Sequence, residues 1–546
     1  MMIKRIIIIL LLIFLLIPFF PFSNASSSKV KDWTIMVYLD ADNNLDGAGI
    51  DDFNEMAKVG STANMNVVVE MDRAEGEDNS NNGWTDTKLF YVTKGLTPTP
   101  ENALMDLGEK NMGDPDTLID FVLWAVKNYP AKHYLLDLWD HGGGWQGVCW
   151  DDTDGGDFLT LPEIEYALQA IRAKLNRNID IVLFDACAMG NLEVFYQLRN
   201  YVDIAVGSEA SVPGDGCPYD KILSPLVENP AMTPEELARV IVDAYIHSYS
   251  DGEADPEDVP WVTFSAFTLK RFDELAEIAD EFCMLLSKNA ALFPEGYNLR
   301  IVRCRKNAQT FIPYVPSVFP NVITSMVDLY DFASEISREV GIGSNEKVKA
   351  KQLMSIFEEM RIAEAHGNTF PQAQGLTIYF PNDKLATEYR ESYDKVAFAA
   401  HKYWDEFIHH VNNMENAKDT PPTSLIVRPE RWEIITSESY LIEGSAFDVE
   451  SLQEVQLKID NGEWVTAYGT ETWSYEWKTS PGKHTIYTRS FDGTGYSTVS
   501  SVNVDVVSKE NEAGGYSLFI LPLIAAMAVL VIIAVIKRKR NLRLSK

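Results

Sequence analysis

HYLLDLWDHGGGW, residues 133–145, is an almost continuous apolar run that ends in a histidine and three glycines. IDIVLFDACAMG, residues 179–190, is built the same way and ends in a cysteine. Runs this apolar on successive positions read as strands buried on both faces, the habit of parallel sheets covered by helices. Further runs of this kind lie at 34–39, 67–71 and 202–207. Between them, 116–128 keeps Leu118, Ile119, Val122, Leu123 and Val126 at helical spacing, and 162–174 does so with Ile164, Ala167, Leu168 and Ile171 behind Pro162. The alternation predicts an α/β sandwich with a mainly parallel sheet.

Beyond residue 220 the pattern predicts helices at 234–249, 269–286, 326–336 and 345–365, then a strand at 376–380. Residues 413–424, NMENAKDTPPTS, are polar with two adjacent prolines and read as a linker. From 425 to 508 short alternating strands with turns at Asp460-Asn461-Gly462 and Asp492-Gly493 predict an Ig-like β-sandwich.

The ends carry their own signals. Residues 1–25 read as a signal peptide: Lys4-Arg5, an apolar stretch to Phe22, then Ser23-Asn24-Ala25. Residues 518–536 hold no charge and precede Lys537-Arg538-Lys539-Arg540. As a helix they would measure about 29 Å, enough for one transmembrane crossing, with the tail at 537–546 cytoplasmic and the body outside the cell. The formal charge of −33, from 80 acidic against 47 basic residues, repels a phosphate backbone and argues against nucleic acid as partner. It favours cationic substrates and metal ions. The five cysteines, between positions 149 and 304, are too few for a disulfide scaffold. With Cys187 kept free, two bridges are arithmetically open, Cys149 with Cys217 and Cys283 with Cys304; free buried thiols are the alternative.

In open α/β sheets reactive groups collect beyond the carboxyl ends of the strands. His141 and Cys187 each follow such an end, so a thiol and an imidazole can meet at one sheet edge although 46 positions separate them. The thiolate would attack a carbonyl, the imidazole would protonate the leaving group, and the backbone N–H groups of Gly142 and Cys187 would hold the oxyanion. This chemistry requires no cofactor.

These residues resemble the clostripain family of cysteine peptidases. The matching pieces are WTIMVYLDADNNLD (33–46), DHGGGW (140–145), FDACAMGNLEV (184–194), GSEASVPGDG (207–216) and GLTIYFP (375–381). The resemblance implies a caspase-like α/β/α sandwich over 30–412, a His141–Cys187 dyad, and protein or peptide substrates cut after Arg or Lys. A basic P1 side chain needs a carboxylate in its pocket. Asp215, in the turn after the 202–207 strand, is the first candidate; Asp185, two residues before the cysteine, is the second, and Glu209 the reserve.

Asp151, Asp152, Asp154 and Asp157 crowd one loop beside the histidine turn. Their mutual repulsion suits a structural calcium ion, which the resemblance also implies, although the spacing is not that of an EF-hand. The stretch 142–171 contains no Lys or Arg, so an enzyme cutting after basic residues is expected to leave it intact. Two other readings stand beside this one. Asp40 and Asp42 after the first strand have the spacing of a Mg-dependent phosphatase's nucleophile and acid, though Asn44 stands where Thr or Val is wanted. Alternatively, the chain is a degenerate cell-surface binding or adhesion protein whose sandwich does the binding.

Overall fold

The apolar runs at 34–39, 67–71, 134–139, 179–184 and 202–207 all form strands. In chain order the strands are β1 (Lys31–Ala41), β2 (Met65–Arg73), β3 (Thr87–Tyr91), β4 (Met105–Gly108), β5 (Ala131–Trp139), the hairpin pair β6 (Val148–Asp151) and β7 (Asp157–Leu159), β8 (Ile179–Asp185), β9 (Val202–Gly207), β10 (Thr263–Thr268), β11 (Met326–Asp328), β12 (Arg361–His366) and β13 (Thr377–Tyr379). The computed structural model describes residues 30–507 apart from 251–258, 293, 312–322, 340–341, 382–388, 413–421, 430, 448–451 and 471. The expected leader at 1–25, most of the linker, the segment at 518–536 and the tail at 537–546 lie outside the described residues. Among the described residues no helix is long and apolar enough to cross a membrane.

Nine strands form the central sheet in the order β12-β10-β9-β8-β5-β1-β2-β3-β4. The five from β9 to β2 are parallel, while β10 and β12 at one edge and β3 and β4 at the other run antiparallel to their neighbours. The sheet is therefore mixed, with a parallel centre. The parallel strands are the ones with unbroken apolar sequence, because helices cover both of their faces. On one side pack α1 (Asp46–Val59), α5 (Tyr219–Glu228) and α6 (Pro234–Ser250); on the other pack α2 (Pro115–Asn128), α3 (Leu161–Leu175), α4 (Leu192–Leu198) and α7 (Phe272–Leu292). Their starts follow local chemistry. Asp114 accepts the Asp116 N–H at the head of α2, and Thr160 and Glu163 form a capping box on α3.

Two helical expectations need correction. Residues 326–336 open with β11, and the Asp328 side chain then caps a helix at Leu329–Arg338 by accepting the Asp331 N–H at 2.7 Å. The segment 345–365 is helical only from Ser344 to Met360. Its remainder is β12, which pairs antiparallel with β10.

The C-terminal part has a hydrophobic core of its own. Its strands are β14 (Thr423–Arg428), β15 (Ile434–Ile435), β16 (Ser439–Phe447), β17 (Glu454–Ile459), β18 (Val465–Thr466), β19 (Tyr468–Gly469), β20 (Thr472–Lys478), β21 (Gly482–Phe491) and β22 (Ser500–Val506). They form one sheet ordered β14-β16-β20-β19 and another ordered β15-β22-β21-β17-β18. Ile426, Ile442, Trp473 and Trp477 from the first meet Val455, Leu457, Ile486 and Val502 from the second.

The interior of the large sheet is acidic. Burial pushes the Glu70 carboxyl on β2 up to about 8, against ~4.3 for an exposed glutamate. The folded protein thus keeps a proton that the unfolded chain releases, and stability falls as pH rises from about 4 to about 8. Glu70→Gln removes this penalty. Its melting temperature is expected to match that of the wild type at pH 5 and exceed it by several degrees at pH 8.5; an unchanged difference between the two pH values would refute the assignment.

Candidate active site

β5 and β8 are neighbours, parallel, with Trp139 paired to Asp185. Counting two residues on from that pair brings His141 and Cys187 out of the sheet at the same level. The turns that carry them are packed together: the Asp140 N–H bonds the Asp185 carbonyl at 3.3 Å, and a Cβ on Gly142 would lie 2.3 Å from the Cys187 carbonyl oxygen. Only glycine fits at 142. Ala188, directly after the cysteine, has φ 61°, a left-handed conformation that non-glycine residues adopt at a cost. The Ala188 N–H bonds the Ala210 carbonyl at 2.9 Å, which secures the turn.

Both groups line one cleft of about 210 Å³ with Asn44, Trp139, Val212 and Gly216. Cys187 is 7% and His141 8% exposed. Burial pushes the Cys187 thiol up to about 11, and the negative charges of Asp185 and Asp140 add to this; the Val212 N–H, 3.2 Å from Sγ, acts in the opposite sense. Burial holds the His141 imidazole below its usual value, with Asp152 opposing. The resting pair is therefore a neutral thiol beside a neutral imidazole. Among the described residues the N–H groups of Gly142 and Cys187 donate to no other group. They remain available to a developing oxyanion.

The three candidate substrate acids part company. Asp185 lines the cleft and is buried, whereas Asp215 sits on the exposed turn between Gly214 and Gly216, whose backbones line it. Glu209 is buried away from the cleft, where it accepts the Gly375 N–H at 2.9 Å and is held well above the usual carboxylate range by burial and then by Asp328. Asp185 Oδ2 accepts from the Cys217 N–H at 2.8 Å and the Tyr219 hydroxyl at 3.1 Å, while Oδ1 is buried without a partner. The same Tyr219 hydroxyl lies 2.6 Å from Asp137 Oδ2. One hydroxyl proton cannot serve two carboxylates, so one of the two acids carries a proton. Burial and the neighbouring Asp185 hold Asp137 far above the usual range, while burial raises Asp185 only to about 6. Asp137 is the protonated member and Asp185 the one that ionises near neutral pH. Asp52, bonded to the Trp139 indole at 2.6 Å, completes this acidic floor.

Of the four loop acids expected to gather around a cation, only Asp151 does so. It converges with Asp42 and Glu109, which offer ligand atoms within 4.8 Å of one another. Asp152 and Asp154 lie outside that group, and Asp157 accepts instead from Asn111 at 2.8 Å. Asp40 is buried and held well above the usual range by desolvation and then by Asp140, a poor nucleophile for the phosphatase reading. The expected disulfides are absent: Cys149, Cys187, Cys217, Cys283 and Cys304 are all free and buried.

Sequence reasoning missed several residues of the site. Asn44 Oδ1 lies 2.9 Å from His141 Nε2, yet the sequence offered it only within DADNNLD and as a mismatch to the phosphatase spacing. Asp137 had a legible signal, a charge in the middle of a buried strand. Tyr219 and Asp52, on helices, and Glu109, in the bend after β4, carried none, since nothing local marks a residue that reaches a distant part of the chain.

The family model described as the clostripain family, peptidase C11, matches residues 37–411. Clostripain of Hathewaya histolytica is 28% identical over 439 residues, which is 68% of this chain and 78% of that protein. A secreted C11 cysteine protease from Bacteroides thetaiotaomicron, solved with an irreversible peptide inhibitor, superposes with a TM-score of 0.50 at 19% identity, covering 69% of this chain and 99% of that chain. That likeness is one of fold.

A neutral resting thiol has a kinetic signature. Alkylation of Cys187 by iodoacetamide is expected to accelerate continuously from pH 7 to pH 9.5, because the thiol titrates at about 11. A plateau reached below pH 8 would mean that the thiolate pre-exists.

Proposed function

Since the chain belongs to the clostripain family, it is a cysteine endopeptidase, and we propose that it cleaves protein or peptide substrates after Arg or Lys through a Cys187–His141 dyad. The observation that carries this reading is the common exit of His141 and Cys187 from adjacent parallel strands onto a cleft walled by Asp185. The scissile carbonyl enters beside Sγ. As the carbon–sulfur bond forms, the thiol proton passes to the imidazole, and the carbonyl oxygen takes negative charge against the N–H groups of Gly142 and Cys187. Collapse expels the amine, which takes the proton from the imidazolium. Water, deprotonated by the same imidazole, then hydrolyses the thioester.

Asp185 is our assignment for the P1 contact in place of Asp215. It is buried, borders the cleft and has one buried oxygen, Oδ1, without a hydrogen-bond partner. A guanidinium or ammonium there satisfies that oxygen and favours the ionised carboxylate. Substrate affinity should consequently weaken as pH falls through about 6, where Asp185 takes up its proton. Both dyad residues are present, which weighs against a degenerate binding protein. Export of the catalytic body, with anchoring through 518–536, is the location that suits these sequence signals. The sandwich then serves as a spacer or binds a surface polymer.

We also propose a structural calcium site formed by Asp42, Glu109 and Asp151, three hard oxygen donors of the kind calcium takes. Burial, then Asp42 and Asp151, raises Glu109 to about 7, so a cation there would relieve mutual repulsion. Calcium is expected to raise the melting temperature of the wild type and to leave that of a combined Asp151→Asn, Glu109→Gln variant unchanged. Equal shifts in both proteins would dismiss the site.

Specificity is tested with fluorogenic peptides varied at P1. Asp185→Asn should reduce kcat/KM for Arg and Lys substrates at least about 100-fold, the scale of removing one partner of a buried charge pair. Asp215→Asn should remain within a few-fold of wild type. The reverse pattern would return the role to Asp215.

A further inference from the structure

Nothing in the dyad alone decides which imidazole nitrogen faces the thiol. The loop leaving β1 supplies that decision. Asn43 and Asn44 are consecutive and each binds one of two consecutive residues at the end of β5. Asn43 Nδ2 donates to Asp140 Oδ1 at 2.8 Å and to the Trp150 carbonyl at 2.9 Å, while its own Oδ1 accepts the Leu45 N–H at 2.9 Å. With both ends of its amide engaged, Asn43 fixes the backbone on either side. Asn44, at the rim of the cleft, is thereby presented to the ring, with Oδ1 2.9 Å from His141 Nε2.

We propose that Asn44 is a positioning residue for catalysis: its carbonyl oxygen holds the proton on Nε2 and so turns the unprotonated Nδ1 toward Cys187. This inference rests on the peptidase reading and deepens it. An amide oxygen is an acceptor only, so the neutral ring bonded to it must carry its hydrogen on Nε2. Nδ1 then holds the lone pair that receives the thiol proton. When the ring becomes imidazolium, the Nε2–H···O bond strengthens without any net charge on the partner. That neutrality matters here, because Asp152 from the loop after β6 already acts on the imidazole, and Asp140 and Asp185 line the same cleft. A further acid in contact would favour the imidazolium and raise the pH at which the ring can serve as base.

Steady-state kinetics on the full-length protein test this, using a saturating Arg-P1 peptide so that a bound cation keeps Asp185 ionised and the acid limb of kcat reports the imidazole. Asn44→Ala should lower kcat about 10- to 100-fold, the range typical of losing the partner that orients a histidine, with KM nearly unchanged. Asn44→Asp keeps the acceptor and adds charge. Its acid limb should move about one pH unit upward, with kcat above that limb recovering to within a few-fold of wild type. Wild-type kcat in Asn44→Ala, or a wild-type pH profile in Asn44→Asp, would overturn the inference; the second arm stands even if the alanine variant fails to fold. A wild-type protein that neither cleaves nor is labelled at Cys187 by an arginyl acyloxymethyl ketone would overturn the peptidase reading and this inference with it. An active enzyme indifferent to Asn44 would overturn this inference alone.

Discussion

The register between β5 and β8 is the constraint on which the site depends. Trp139 beside Asp185 is a backbone pairing in the middle of a buried parallel sheet. A slip of one residue would turn each strand's interior side chains to the opposite face, at a cost spread over the whole core. The sheet's stability therefore sets where a thiol and an imidazole emerge, with no need for a contact between them to hold the fold. Gly142 tightens the arrangement, because only a residue without Cβ lets its turn lie on the Cys187 peptide.

Around this register the protein concentrates acids in places where most chains put none. Glu70, Asp137 and Asp185 are all buried on or at the end of central strands. The interior accommodates them by leaving most protonated and by spending hydrogen-bond donors on the one that must ionise. Asp185 receives the Cys217 amide and the Tyr219 hydroxyl; Asp137 shares that hydroxyl and stays neutral. A carboxylate that ionises beside a nucleophile also raises the nucleophile's own pKa. That explains why burial and Asp185 act together on Cys187 and why a general base is needed at all.

Much of the fold was legible because the parallel centre has a one-dimensional signature. The apolar runs at 34–39, 67–71, 134–139, 179–184 and 202–207 each became a central strand. β3, with sequence TKLFY, and the edge strand β4, with MDLG, were not legible, since short strands carrying polar residues read as loops. The 345–365 segment misled for a related reason: RIAEAH continues the helical spacing of the preceding turn, and only the pairing with β10 makes it extended. At the site, the convergence of His141 and Cys187 on one cleft could be read from strand ends. The acid in the cleft could not be chosen, because Asp185 and Asp215 differ in burial, which depends on how the loop after β9 folds back. The grouping of Asp151 with Glu109 and Asp42 was hidden for the same reason, since they approach one another only in three dimensions.

That loop after β9 has a wider significance for how such an enzyme diversifies. Within eight positions it supplies the Val212 amide to the sulfur, the Gly216 wall of the cleft, the Cys217 amide that anchors Asp185, and Tyr219 at the head of α5. With Asp185 as the proposed P1 contact, reactivity and substrate choice are written in one short stretch of chain and are inherited together. A lineage drifting toward a new P1 preference through this loop changes the nucleophile's surroundings in the same step, so its successful variants should come as linked sets of substitutions and seldom singly.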